Sequence, residues 1–516
     1  MVCPLKLFRL QSSAFSLSTF SLNTFILAIA LFAASTALAQ DEPQRKPLSL
    51  REGAAAVLEN NLDLIVERVA PLVAALDVDS ARAVYDPETF TLLKRTEAKT
   101  PLSARSQTAA GGLSSSESEG YTLEAGVEGR LALGAKYTLE VKEERTADTF
   151  NRFEPQFASF AGLKLTQPLF KNLGREATEY QINVAGKNRD ISVHKLKGRL
   201  LETLSEYCGV YWDLLQLREE LKVREESLRL AETLLELNRK KFRAGVMSAL
   251  DVSHAESAAA ARLDQVLIAR RGVKDKEAAL KLLISGDVYG IKDVELTPSE
   301  EASVEPVEAK LDDALKTAFS KRPDYLELKS EIEKSRLRIR YAENQRYPLI
   351  DLEASYGFNG LGETAGQSWR SLDSNPEWSL GVRFKMPLEG TGAQAELAGA
   401  RLASSQSLLK LKRLEQRTII KTDLIIKDLR DCLIRAMNAK RSTALAKNTL
   451  KAEEEKLNAG LSTTYSVLKV QDDLSMARLN EIGASIDYNK TLVRYNMEKG
   501  TLLEALGLKF GDETGR

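Results

Sequence analysis

Residues 241–246 read Lys-Phe-Arg-Ala-Gly-Val, and this short turn decides the fold because it interrupts a long helical stretch. No proline occurs from residue 169 to residue 297. A second proline-free stretch runs from residue 388 to residue 516, and its own turn reads Lys-Leu-Asn-Ala-Gly-Leu at residues 456–461. Glycine suits a tight reversal because it tolerates positive φ. The sequence therefore predicts two long helical hairpins, turning near residues 245 and 460.

Apolar side chains recur every seven residues before the first turn. They are Tyr207, Leu214, Leu221, Leu228, Leu235 and Phe242. Such a repeat keeps one apolar stripe against a partner helix and winds the pair into a left-handed coiled coil. A helix from Glu176 to Phe242 would be roughly 100 Å long at about 1.5 Å per residue. The helices are therefore expected to build a tall structure, and this stretch by itself also fits a cytoplasmic or periplasmic coiled coil.

Composition narrows the functional class. The 516 residues include 73 basic and 73 acidic side chains, so the formal net charge is zero. A nucleic-acid-binding protein needs a basic surface, which this balance argues against. No P-loop, G-x-S-x-G motif or Cys-x-x-Cys pair is present, and the two histidines lack metal-ligand spacing. We expect no enzymatic activity, no cofactor and no metal site.

The N-terminus predicts export. Lys6 and Arg9 precede an apolar run at residues 20–34, and Ala37-Leu38-Ala39 follows it. This is the pattern of a secretory signal peptide at residues 1–39, and the apolar run is shorter than the ~20 residues of a spanning helix. Of the cysteines that remain, Cys208 and Cys432 differ in their position relative to the turns, so we expect two unpaired thiols.

Internal repeats predict a duplicated chain. Asp63 and Pro87 match Asp324 and Pro348 at the same offset, because 324 minus 63 and 348 minus 87 both equal 261. The offset is 219 between Pro168 and Pro387 and 215 between the turn glycines, so the first unit carries 42 additional residues (261 minus 219). We predict a first repeat at 40–285, a connecting segment at 286–322 and a second repeat at 323–516.

Each predicted repeat contains β-segments with strict alternation of apolar and polar residues. In the first repeat they span about 88–167 and include an additional hairpin at about 120–147; in the second they span about 348–358 and 377–387. The apolar sets are Tyr121, Leu123, Ala125, Val127 and Leu131; Tyr137, Leu139 and Val141; Ala161, Leu163 and Leu165; Ile350, Leu352, Ala354, Tyr356 and Phe358; and Trp378, Leu380, Val382, Phe384 and Met386.

Two-faced segments of this length are typical of outer-membrane strands, although a half-buried soluble sheet alternates in the same way. The predicted export and the long Gly/Ser loops favour the membrane. One chain has too few strands to close a pore, and an open edge cannot lie in lipid with unsatisfied backbone groups. Several chains must therefore share one β-barrel. Whether the additional hairpin widens the wall or caps it from outside stays open.

Taken together, this order of elements resembles the TolC-like outer membrane efflux protein family over about residues 48–506. The resemblance rests on the entries at Pro87 and Pro348, the strand-to-helix passages at 167–170 and 387–388, and the two turns with the residues that follow them. It implies an α+β membrane protein, a homotrimer with a shared outer-membrane β-barrel continued by a periplasmic α-helical barrel. It also implies a channel whose helix tips constrict the pore and dock a periplasmic adaptor, which links the channel to an inner-membrane transporter.

The resemblance assigns two sets of site residues. The tip positions, expected to dock the adaptor, are Gly245, Ser248, Leu250, Asp251, Val252, Gly460, Thr463, Tyr465 and Val467. Capping of the returning helices by Ser, Thr or Asp explains the same residues equally well. The gate positions are Ser466, Lys469, Asp472 and Asp473. Ser466 and Lys469 match the places where the family often has acidic rings, and acid occurs here only at Asp472 and Asp473. Three copies of Lys469 near a threefold axis would attract anions.

The sequence thus predicts an outer-membrane channel with a periplasmic extension, belonging to a tripartite efflux or type I secretion system. It would conduct substrates passively, with outer-membrane lipid around its barrel and no nucleic-acid partner. The alternative is a periplasmic coiled-coil adaptor or scaffold without a pore.

Overall fold

The structure is a computed structural model that describes residues 45–150, 152–459 and 461–508. The expected signal peptide and Gly460 lie outside the described residues. The helices in chain order are α1 (Leu50–Asn60), α2 (Leu62–Arg82), α3 (Ala104–Ala109), α4 (Arg175–Thr178), α5 (Tyr180–Arg243), α6 (Ala249–Ile284), α7 (Leu311–Lys321), α8 (Pro323–Asn344), α9 (Ala365–Arg370), α10 (Thr391–Asn458), α11 (Thr464–Glu498) and α12 (Leu502–Ala505). Short 3₁₀ turns lie at Ala83–Tyr85, Tyr289–Ile291 and Leu372–Ser374.

Two hairpins contain the longest described helices. The first joins α5, with 64 residues, to α6, with 36. The second joins α10, with 68 residues, to α11, with 35. The absence of proline in these stretches allows such lengths, since an internal proline removes a hydrogen bond and clashes with the preceding turn. Within the described part of the chain, no helix is both long and apolar enough to cross a membrane.

The strands are β1 (Arg45–Leu48), β2 (Glu88–Pro101), β3 (Ser115–Arg130), β4 (Lys136–Asp148), β5 (Gln156–Pro168), β6 (Glu295–Pro298), β7 (Leu349–Gly362) and β8 (Pro376–Lys385). Strands β1 and β6 pair in parallel. The other six described strands form one sheet in the order β2-β3-β4-β5-β7-β8, and every pair is antiparallel. In the single chain this sheet is open.

The additional hairpin that the sequence predicts is β3–β4, and it lies inside the sheet between β2 and β5. Its tight turn includes Gly134, whose φ of 94° suits glycine. Leu131, expected on the apolar face of the strand, instead lies in this turn, where its amide donates to the carbonyl of Ala135. The strand ends at Arg130 because the chain is already reversing.

The register gives the sheet two chemically different faces. Leu123, Val141, Ala161 and Phe358 lie on one face. Val141 lies opposite Ala161, and Ala161 lies opposite Phe358. Leu123 lies opposite the residue two positions after Val141, and residues two apart in a strand share a face. Most of the residues in the predicted apolar sets lie on this same face in strands β3 to β8. The opposite face carries charged pairs, among them Lys164 with Glu140 at 2.5 Å and Arg383 with Glu353 at 2.6 Å.

The main core lies where α5 packs against α1, α6 and α11. Tyr207, Tyr211 and Leu214 are fully buried there. The seven-residue stripe is therefore buried at its start, whereas Phe242 at its end is 47% exposed. The stripe has more neighbours near the connecting segment than at the turn, because α1, β6 and α12 also pack around that end of α5.

Candidate functional site

The first tip is closed by backbone hydrogen bonds. The amide of Val246 donates to the carbonyl of Lys241 at 3.0 Å, and the amide of Gly245 donates to the carbonyl of Phe242 at 2.9 Å. Gly245 has a φ of 77°, so it is the left-handed residue that terminates α5. In the second tip, the amide of Leu461 donates to the carbonyl of Lys456 at 2.9 Å. Each turn therefore has the same backbone hydrogen bond, which spans six residues.

Ser248 and Thr463 cap the returning helices. The Ser248 hydroxyl accepts the amide hydrogen of Asp251 at 3.2 Å and donates to the Asp251 carboxylate at 2.6 Å. The Thr463 hydroxyl accepts the amide hydrogen of Ser466 at 3.2 Å. Each cap satisfies a backbone donor in the first turn of its helix. Ser248 and Thr463 therefore act as helix caps, whereas Asp251 supplies the capped amide and accepts the Ser248 hydroxyl.

Other tip positions divide into buried and exposed side chains. Val467 is 2% exposed and packs with Leu450 and Leu474, while Val252 packs at the edge of a small alanine-rich cluster. Leu250 and Tyr465, in contrast, are 65% and 69% exposed.

Two exposed tip residues were not among the predicted sites. Val246 is 74% exposed and Leu461 is 80% exposed. Each follows the helix-ending position of its hairpin, so both were visible in the sequence as apolar residues at a turn. With Leu250 and Tyr465 they form what we call the apolar tip surface.

The gate positions have different environments. Lys469 and Asp473 are exposed, and Ser466 is half-buried beside its cap. The Asp472 carboxylate accepts a hydrogen bond from the Arg262 guanidinium at 2.7 Å. Arg262 is only 6% exposed and also donates to Gln471 at 3.3 Å. Asp472 thus connects α11 to α6 of the other hairpin.

Arg262 is a candidate functional residue that sequence reasoning missed. It interrupts an alanine-rich run, but its partner lies 210 residues later in the chain. No local pattern identifies a pair at that separation. A second contact between the hairpins joins Arg478 of α11 to Glu226 of α5 at 2.5 Å. These two ion pairs, Arg262–Asp472 and Glu226–Arg478, are called the hairpin ties below.

A third charged group lies farther from the tips. The Asp213 carboxylate of α5 accepts hydrogen bonds from Lys276 of α6, at 2.7 Å, and from Lys490 of α11. Burial alone raises the pKa of the Asp213 carboxyl, but the hydrogen bonds and positive charges of the two lysines outweigh it. The net pKa lies below the ordinary value. Asp213 therefore remains ionised at neutral pH and joins three helices.

Cys208 is buried, Cys432 is half-buried, and both are free thiols. Burial raises the pKa of the Cys208 thiol to about 12, which keeps it protonated and unreactive at neutral pH. Among the described residues, no group of three or more His, Cys, Asp or Glu side chains could hold a metal ion.

The candidate functional site consists of the tips, the hairpin ties and the two-faced sheet.

Known proteins share both sequence and fold with this chain. Residues 56–286 match the family described as outer membrane efflux protein. Nodulation protein T of Rhizobium leguminosarum bv. trifolii is 22% identical over 58% of this chain and 63% of that protein. The pyoverdine export outer membrane protein OpmQ of Pseudomonas aeruginosa is 24% identical over 57% of this chain and 61% of that protein. The chain thus spans about three fifths of the length of these two relatives.

A solved structure extends the similarity to the whole fold. The Campylobacter jejuni CmeC outer membrane channel aligns with 95% of this chain and 94% of its own, with a TM-score of 0.65. The sequence identity is 14%, so this comparison concerns the fold.

Proposed function

We propose that the chain belongs to the outer membrane efflux protein family, which residues 56–286 match, and that it is a passive outer-membrane channel. It would act in a tripartite efflux or type I secretion system, conducting substrates from the periplasm to the exterior. An adaptor and an inner-membrane pump would open it and supply the energy.

The observation that carries this proposal is an open, two-faced sheet joined to two long helical hairpins. Trp378, Leu380, Val382 and Phe384 expose one row of apolar side chains on β8. A lipid layer accommodates such a row, whereas open strand edges inside lipid would leave backbone groups unsatisfied. Three copies that share one barrel would cover the edges. The hairpins would then form a helical extension in the periplasm.

We also propose that the chain is an internal duplication with one insertion. In both halves a helix leads into strands, and the strands lead into a long hairpin. The paired helix lengths support this proposal, with 64 and 36 residues in one hairpin and 68 and 35 in the other. The proposed boundaries remain 40–285, 286–322 and 323–516.

The apolar tip surface is the proposed adaptor-docking site. Val246, Leu250, Leu461 and Tyr465 expose apolar area at a helix end, where water would otherwise contact it. Exposed apolar patches are typical of protein–protein interaction sites. Gly245 and Gly460 belong to the proposed docking positions, while Ser248, Asp251 and Thr463 would hold the first turns of α6 and α11.

The hairpin ties support an opening mechanism at the tips. Arg262–Asp472 and Glu226–Arg478 attach α11 to the first hairpin. An iris-like movement of α11 away from that hairpin would break both ion pairs. Adaptor binding would supply the free energy for this step, since a partner shifts an equilibrium by its differential affinity for the two states.

Fractionation and reconstitution test the proposal. We expect the mature chain in the outer-membrane fraction, extracted by detergent as a trimer whose gel mobility changes on heating. In planar bilayers this trimer should produce discrete conductance steps. A monomer that stays in solution without detergent and gives no conductance would contradict the proposal and favour a periplasmic adaptor or scaffold without a pore.

A further inference from the structure

The β3–β4 hairpin is built into the sheet on both sides. On one side, β2 pairs with β3 from Glu88 opposite Glu128 to Pro101 opposite Ser115. On the other side, β4 pairs with β5 from Lys136 opposite Thr166 to Thr146 opposite Gln156. The hairpin therefore separates β2 from β5 along nearly their whole length.

Side-chain packing adapts to this insertion. The ring of Phe90 on β2 lies over Gly126 of β3, where an added Cβ would meet ring atoms at 2.6 Å. Lys164 of β5 pairs with Glu140 of β4 at 2.5 Å. Leu123, Val127, Leu139 and Val141 continue the apolar face across the hairpin. In its half nearer the helices, the hairpin thus has the same two-faced chemistry as its neighbours, whereas Glu143 and Arg145 lie on the apolar face farther out.

The sheet ends at β2 and β8, each of which has one edge without a strand partner among the described residues. β2 begins at Glu88, directly after a helical segment, and β8 ends at Lys385, shortly before α10. β2 therefore runs away from the helices, whereas β8 runs toward them. A second copy can therefore add its β2 to β8 as an antiparallel neighbour.

Matching the helix-side ends of these strands gives a specific register for this contact, which we call the seam. Lys385 of one copy would lie opposite Glu88 of the next on the charged face. On the apolar face, Val382 would lie opposite Thr91 and Leu380 opposite Leu93. Near the helix-side ends the seam would thus pair opposite charges on one face and uncharged side chains on the other, with Arg95 opposite Trp378 farther along the strands.

We propose that the β3–β4 hairpin widens the wall of the pore rather than capping it. This inference rests on the proposed trimer: three copies of the six described strands make eighteen, whereas removing the hairpin would leave three times four, or twelve. Barrel diameter grows roughly linearly with strand number, so the outer pore is about half again as wide as a twelve-stranded one. The occupant of each open edge is a second copy of this chain.

The hairpin also changes the chemistry of the wall. Its charged face carries Glu124, Glu128, Glu140, Lys142 and Glu144, which lie on the same side as Lys164 and Arg383. With the apolar face toward lipid, these side chains face the aqueous interior. The outer pore is therefore wide and charged, and it fits large hydrated solutes better than compact apolar ones.

Disulfide cross-linking tests the seam. The variant carries Val382→Cys and Thr91→Cys, with Cys208→Ala and Cys432→Ser to remove native thiols. Oxidation of the membrane-inserted protein should give covalent dimers and trimers. A control that replaces Thr91→Cys by Leu123→Cys, which lies on β3 away from the edge, should stay largely monomeric on a denaturing gel. Equal cross-linking of both variants, or none at either Thr91 or its neighbours Thr89 and Leu93, would overturn the seam.

Strand counting tests the widened wall without any variant. Electron cryomicroscopy of the detergent-extracted wild-type trimer should show eighteen strands, and polymer exclusion from the outer side should indicate a pore about 1.5-fold wider than twelve strands allow. A trimer with a twelve-stranded wall and the hairpin outside it would overturn this inference and leave the proposed channel intact. If no membrane-inserted trimer forms, both proposals fail.

Discussion

At the level of single residues, the side chains with the clearest expected effects are charged groups on the long helices. Arg262 is buried in an alanine-rich segment and reaches across to Asp472, while Asp213 receives two lysines from different helices. Lys469 is exposed near the second tip. Each of these side chains has a distinct expected consequence when it is replaced.

Asp213 is expected to contribute pH-dependent stability. Because its folded-state pKa lies below the ordinary value of 3.8, the folded state binds fewer protons and gains stability above that pH. This contribution is lost as pH falls below the ordinary value and through the depressed pKa. Asp213→Asn should lower the free energy of unfolding by about 1–2 kcal/mol at neutral pH and by less in acid. Thermal loss of the helical circular dichroism signal, followed from neutral to acidic pH in detergent, measures both effects.

Asp275→Asn is the matched control, because Asp275 is exposed and its ion pair is a long one, at 3.9 Å, with Arg271 one turn away in the same helix. It should change stability by less than about 0.5 kcal/mol. A pH-independent deficit in the Asp213 variant, or an equal deficit in the control, would contradict the assigned role.

Lys469 is expected to bias ion selectivity if three copies surround the pore axis. Lys469→Ala should shift the reversal potential in a salt gradient toward cation preference, because three ammonium groups that attract anions are removed. Lys451→Ala changes an exposed lysine of α10 and serves as the control. An unchanged reversal potential in the Lys469 variant would remove the charge ring from the proposed gate.

At the scale of elements, backbone hydrogen bonds hold the turn of each hairpin, and side-chain ion pairs attach the two hairpins to each other. Gly245 and the caps Ser248 and Thr463 act within single hairpins. The hairpin ties join α11 to α5 and α6. Loss of a tie should therefore leave each hairpin folded while changing how the hairpins sit against each other.

Arg262→Ala is expected to favour the open channel. Removing the guanidinium leaves Asp472 and Gln471 without this partner on α6, so the closed arrangement loses free energy relative to the open one. We expect the open-to-closed ratio in bilayer recordings to rise about tenfold, corresponding to ~1.4 kcal/mol. Asp472→Ala should have a similar effect and add little in the double variant.

Arg271→Ala provides the control, since Arg271 is on the same helix but its side chain is 86% exposed. It should leave the open-to-closed ratio unchanged. The proposed tie is wrong if the Arg262 and Arg271 variants gate alike.

At the scale of the whole molecule, the sheet is the part that requires a particular environment. Its apolar face extends across strands β3 to β8, and the opposite face carries ion pairs such as Glu353–Arg383. A charge added to the apolar face should therefore be costly, while one added to the other face should be tolerated.

Val382→Arg is expected to reduce membrane assembly. An arginine on the lipid side of a barrel costs about 2–4 kcal/mol near the middle of the bilayer. The heat-modifiable trimer should fall several-fold in the outer-membrane fraction. Ser379→Arg adds the same charge to the opposite face of the same strand and should assemble at near wild-type levels. Equal loss in both variants would show that strand disruption, rather than lipid exposure, is responsible.

Much of the architecture follows from patterns within a few residues of each other. The proline-free stretches and turns at residues 241–246 and 456–461 predict the hairpins, and alternation predicts most strands. The alternation does not single out β2, because Leu92 and Leu93 are adjacent and break it. The alternation does place Leu131 in a strand, because an apolar residue in phase has the same pattern as the first residue of a turn.

The sequence by itself determined the helical hairpins, their caps and the two faces of each strand, because helix periodicity, capping and alternation depend on neighbouring residues. Only the tertiary structure decided that the β3–β4 hairpin lies within the sheet and that Arg262 meets Asp472. It also brought Gln167 opposite Leu352 and joined Asp213 to Lys490. These contacts join residues far apart in the chain, and their geometry depends on how whole helices and strands pack rather than on any local sequence pattern.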